Sequence, residues 1–132
     1  YHPRAGYSST VGTEALNYKN NYRVIRFSDV LLMASEALLR SGGSVGEAQD
    51  YYARVVKRAM GDDYKVPVVS LDNIYKERRY EFAMEGISYW DLVRTNQAKD
   101  FIIGWDDTKK YLPIPQSEID KSDGHLVQNP HF

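Results

Sequence analysis

The stretch Glu77 to Arg94, ERRYEFAMEGISYWDLVR, holds the densest set of side chains able to do chemistry. Glu77, Glu81 and Glu85 recur at intervals of four. On one helix they would form a ladder, with Ser88 beside it and Arg78 on its flank. Neighbouring rungs would stand roughly 6 Å apart at Cβ, which overlaps the carboxyl separations of glycoside hydrolysis and makes Glu81 and Glu85 a candidate acid–base pair. The competing reading is a structural ion-pair network in which Glu77, Glu81, Glu85 and Asp91 answer Arg78, Arg79 and Arg94. Arg23, Arg26 and Arg58 are further cations within its reach. The network is preferred, because guanidinium forks match carboxylates and structural ion networks commonly cluster charge. On that reading the chain carries no catalytic residue.

Outside this stretch, Trp105 stands in the polar turn GWDD beside Asp106 and Asp107. An indole there can stack on a sugar ring while carboxylates take its hydroxyls; the alternative is a tryptophan anchoring the turn to the core. Tyr7 and Tyr18, with Tyr22 nearby, are similar candidates in the N-terminal loops. His2, His125 and His131 have no metal-ligand spacing, and no cysteine is present, so neither a metal nor a cofactor is expected. Serine-nucleophile and phosphate-cradling signatures are absent. With 17 basic and 18 acidic side chains the net charge is −1, which gives no reason to expect a nucleic-acid partner. No apolar run approaches the roughly 18 residues of a membrane span.

The elements that must position these groups read as mainly α-helical. Residues 1–22 lack periodicity and form a connecting region, whereas 23–132 read as one helical domain. In RVIRFSDVLLMASEALLRSGG the residues Val24, Phe27, Val30, Leu31, Ala34, Ala37 and Leu38 mark an apolar helix face. Leu32, Ser35 and Leu39 widen it until only Asp29, Met33, Glu36 and Arg40 remain as an outer stripe. Gly42 or Gly43 supplies the stop. Ser44 and Glu47 make a capping box for a second helix over Val45 to Met60, with Val45, Ala48, Tyr52, Val55, Val56 and Ala59 on its apolar face. The two helices pair as a hairpin with a tetratricopeptide-like pattern at Gly43, Ala48 and Tyr52. Ser70 caps a third helix from Leu71 that carries the whole charged stretch. It has one face of Tyr75, Phe82, Tyr89 and Val93 and a second of Tyr80, Ala83, Met84, Ile87 and Trp90. Pro113 and Pro115 keep Leu112 to Pro115 extended, as a strap. The chain opens on Tyr1 and shows no signal pattern, so it reads as a piece of a longer or processed protein.

Three ordered pieces resemble one family. NYRVIRFSDVLLMASEALLRSG resembles the first hairpin helix of the SusD/RagB outer-membrane nutrient-binding lipoproteins. ERRYEFAMEGISYWDLVR resembles their glutamate- and arginine-rich helix, and YLPIPQSEID with the closing QNP resembles their C-terminal strap. Two positions depart from the pattern, Ser88 in place of a large polar residue and His131 after QNP. The resemblance implies a mostly helical receptor, lipid-anchored at the bacterial cell surface upstream of these residues. Such a receptor binds oligosaccharides or other nutrients without cleaving them and serves a SusC-like TonB-dependent transporter. It implies structural roles for Glu77, Arg78, Arg79, Glu81, Glu85, Gly86, Asp91 and Arg94. A tetratricopeptide-like peptide-binding scaffold is the alternative of a different class.

Overall fold

The computed structural model describes residues 24–132, so Tyr7, Tyr18 and Tyr22 lie outside the described residues. The order is α1 (Phe27–Ser41), α2 (Val45–Met60), α3 (Leu71–Glu81), α4 (Ser88–Arg94), α5 (Ala98–Phe101), a 3-10 turn (Asp107–Lys110) and α6 (Gln116–Lys121). Among the described residues there is no strand, and the mainly α fold class stands. The chain divides between Ile74 and Tyr75, inside α3, into two compact units. Each is described by itself.

In the first unit α1 and α2 pack as a hairpin. Its turn follows from two glycines. Gly42 takes the left-handed conformation at φ 71° that ends α1. The amide of Gly43 donates to the carbonyl of Leu38 at 2.8 Å, and a Cβ on Gly43 would lie 3.0 Å from Leu38 Cδ2. Ser44 then starts α2, its side chain accepting from the Glu47 amide at 3.2 Å. The core consists of Leu31, Leu32 and Ser35 on α1, Ala48, Tyr52, Val55 and Val56 on α2, and Val69 and Ile74 beyond them. Ser35 is fully buried and donates to the Ala48 carbonyl at 2.7 Å, so the helices touch through a small side chain that also carries a hydrogen bond.

The faces are narrower than the apolar pattern suggests. The helix starts at Phe27, and Val24, Phe27 and Val30 are exposed, as are Val45 and Ala59 at the ends of the α2 face. Glu36, expected on the outer stripe, is buried instead. It tolerates this position because Arg40 Nε donates to its Oε1 at 2.8 Å.

The loop from α2 to α3 has little core of its own and is held by amide side chains. Gln49 accepts from the Val69 amide at 2.6 Å and donates to the Pro67 carbonyl at 3.2 Å. Ser70 caps α3 by accepting from the Asn73 amide at 3.1 Å, while Asn73 donates back to the Val68 carbonyl at 2.8 Å.

In the second unit the expected single long helix is two helices. α3 stops at Glu81, and Phe82 to Ile87 turn the chain before α4 begins at Ser88. Two left-handed residues cause the break, Gly86 at φ 83° and Met84 at φ 66°. Glu85 therefore sits in the turn. The second apolar face is dissolved with it, and Tyr80, Met84 and Trp90 are exposed. α4 ends on Asn96 at φ 57°, with the Gln97 amide returning to the Leu92 carbonyl at 2.9 Å, so asparagine fills the place glycine commonly takes.

The strap is extended, as its prolines require, and a closing segment ties it down. Gln128 accepts from the Ile114 amide at 2.8 Å and donates to the Ile114 carbonyl at 2.9 Å, reproducing with one side chain the pairing of a neighbouring strand. Asn129 donates to the Leu112 carbonyl at 2.6 Å. The QNP sequence thus fixes the strap through its backbone. The strap runs straight into α6, a short helix whose start is not marked by a local signal beyond Pro115.

Candidate functional site

The second unit holds two constellations, a charged one and an aromatic one. The charged one centres on Asp91 of α4. Arg78 Nε of α3 donates to Asp91 Oδ2 at 2.7 Å, and Arg94 Nε donates to Asp91 Oδ1 at 2.7 Å. The Arg78 and Asp91 side chains are only 6% and 14% exposed, so this pair is largely removed from water, whereas Arg94 is 41% exposed. The guanidinium groups also pack on rings. Arg78 lies 5.1 Å from the Phe82 centroid, Arg94 6.0 Å from Tyr75 and Arg79 3.8 Å from Phe101.

Both oxygens of Asp91 are thus occupied by structural cations, an arrangement that fixes a helix pair and offers no free acid or base. Glu77 and Glu81 are half-buried on α3, and Glu85 is exposed in the turn. The three do not form a ladder on one helix, so the rung spacing behind the acid–base pair of Glu81 and Glu85 is not present. Among the described residues, no group of three His, Cys, Asp or Glu side chains is placed to hold a metal ion. No helix among them is long and apolar enough to cross a membrane.

The aromatic constellation surrounds Trp105. Its indole N–H donates to Asp107 Oδ1 at 3.3 Å, and its ring meets Tyr89 edge-on with centroids 6.0 Å apart. Tyr89 contacts Trp90 edge-on at 5.1 Å, and its hydroxyl donates to the Lys109 carbonyl. Trp105 is accordingly half-buried, fixed at one edge while it lines a cavity of about 130 Å³ with Val93, Asn96, Lys99, Asp107 and Lys110.

The two aspartates of GWDD have different tasks. Asp106 caps the 3-10 turn by accepting from the Thr108 amide at 2.9 Å and from the Thr108 hydroxyl. These two bonds hold its carboxyl below the usual carboxylate value, helped by the positive charge of Lys109 and by His131. Asp107 faces the cavity and pairs with Lys110 at 3.3 Å. The sequence points to Trp105, Asp106 and Asp107, of which Trp105 and Asp107 line the cleft while Asp106 caps the turn. It does not point to Asn96, Lys99 or Lys110, which a left-handed cap and two short helical turns bring to the same cleft.

The whole chain has relatives. The profile of the SusD family matches residues 2–132. SusD-like protein P2 of Formosa agariphila is 26% identical over 96% of this chain and 29% of its own length. The structure is similar to that of surface glycan-binding protein A from Bacteroides thetaiotaomicron, with a TM-score of 0.76 and 42% identity over 92% of this chain and 27% of that protein. The same protein is known in complex with laminarihexaose, at 43% identity and a TM-score of 0.76 over 90% of this chain. A laminarin-binding SusD-like protein matches 96% of this chain at 38% identity and a TM-score of 0.74. The chain spans less than a third of the length of these relatives. With the profile running from one end of the chain to the other, this chain belongs to the SusD family.

Proposed function

We propose that this chain is the C-terminal helical part, residues 23–132 with a connecting segment before it, of a cell-surface glycan-binding protein. That protein captures oligosaccharide and passes it, uncleaved, to a SusC-like TonB-dependent transporter. The observation that carries the reading is the likeness over 92% of the chain to a surface glycan-binding protein that has also been solved with laminarihexaose. A lipid anchor outside these residues holds the receptor at the outer membrane. Binding uses aromatic stacking with hydrogen bonds from polar side chains on a preformed, partly wet surface. Trp105 contributes to that surface, as do Tyr7 and Tyr18. Glu77, Arg78, Arg79, Glu81, Glu85, Asp91 and Arg94 serve the architecture, and no metal or cofactor takes part.

The test is affinity electrophoresis of the full-length protein in gels containing laminarin or other polysaccharides, together with purification from outer membranes. Retardation by a polysaccharide and recovery with a TonB-dependent transporter are expected. Free migration in every gel with no transporter recovered would defeat the reading.

A further inference from the structure

We propose that the cleft at Trp105 is a subsite for a single neutral hexopyranose ring, an inference that rests on the glycan-binding reading above. The cavity measures about 130 Å³. Pockets for drug-sized ligands run to roughly 300–1,000 Å³, so this one suits one ring rather than a stretch of chain. The indole supplies apolar surface, and it is set in place before any ligand arrives by its N–H bond to Asp107 and its edge contact with Tyr89.

Around it stand groups matched to hydroxyls. The Asn96 side-chain amide and the Lys99 ammonium have no hydrogen bond or ion pair among the described residues, and Asp107 retains acceptor capacity beyond its bonds to Trp105 and Lys110. Asp106, the other carboxylate of the turn, is committed to Thr108 and takes no part.

Among the described residues the cleft is lined by no arginine whose fork would hold an acidic sugar, which favours a neutral one. Asp107 and Lys110 form an ion pair, which leaves Lys99 as the single unopposed charge in the cleft. A carboxylate or sulfate group is best met by an arginine fork. Arg78 and Arg94 are engaged with Asp91, and Arg79 lies over Phe101.

The test follows the indole N–H resonance of Trp105 in the full-length protein, assigned by its disappearance in Trp105→Phe, while laminarihexaose is added. A saturable shift is expected, with Lys99→Gln weakening the midpoint by about three- to tenfold, the scale of one net hydrogen bond, and leaving thermal melting unchanged. A resonance that stays in place while calorimetry registers hexasaccharide binding overturns the subsite and leaves the receptor reading intact. Tighter binding of a uronate-bearing oligosaccharide that Lys99→Gln abolishes overturns the neutral assignment. Absence of binding to every glycan tested defeats the receptor reading itself.

Discussion

Arg78 Nε and Asp91 Oδ2 stand 2.7 Å apart, thirteen residues apart in sequence, and join α3 to α4 over the turn that separates them. Because Arg94 takes the second oxygen, one carboxylate binds two guanidinium groups, each backed by an aromatic ring. Asp91, an aspartate of α4, thus gathers two of the guanidinium groups of this stretch.

Replacing Asp91 by alanine removes the acceptor of both contacts next to a guanidinium that is nearly out of water. The expected loss of stability is about 3 kcal/mol, the scale seen when a buried pair loses one member. Arg94→Ala, at the exposed end, is expected to cost less than about 1 kcal/mol. Urea unfolding of the full-length variants measures both, and equal losses would contradict the assignment of Arg78–Asp91 as the main link.

Ser35 fixes the separation of α1 and α2. Ser35→Ala removes its bond to the Ala48 carbonyl and is expected to cost about 1 kcal/mol. Ser35→Leu must push the helices apart and is expected to cost about 3 kcal/mol, at the upper end for an overpacked core. A leucine variant that melts with the native protein would show that the helices do not meet there.

The turn between α3 and α4 yields a pair of opposite signs. Gly86 is left-handed with open space where a Cβ would sit, so Gly86→Ala costs backbone strain alone, about 1 kcal/mol. Met84 is left-handed and exposed, so Met84→Gly relieves strain and is expected to be neutral or to stabilise by up to about 1 kcal/mol. Both changes acting in the same direction would contradict the turn.

These positions also show where the sequence is legible. The hairpin, its glycine stop, the Ser44 and Ser70 caps and the bounds of α2 are written in local signals, since each cap uses a hydroxyl next to the amide it accepts from. The proline strap is legible for the same reason. The break after Glu81 is not, because half of it rests on Met84, a residue type with no preference for the left-handed region. Periodicity runs through the turn and suggests a ladder of glutamates that the backbone then takes apart. Trp105 stands out by type, whereas Asn96, Lys99 and Lys110 join it only through the path of the chain after α4.

Asp106 gives a pH-dependent signature. Its carboxyl titrates below its usual value of 3.8 because it accepts two bonds from Thr108. A lowered folded-state value means that its contribution to stability is complete above the unfolded-state value and is lost as pH falls through the folded one. Thr108→Val, which deletes the hydroxyl donor, is expected to move the Asp106 carboxyl titration upward in a carbon-detected NMR series. An unchanged titration would show that the hydroxyl does not hold the charge.

Calorimetric titration of the full-length protein with laminarihexaose, with reducing ends assayed in the same cell, separates a glycan receptor from a glycan-cleaving enzyme. Saturable heat with no new reducing ends is expected, the behaviour of a receptor that holds a glycan intact. Release of reducing ends, or the absence of binding to this and every other glycan tested, would contradict a glycan receptor.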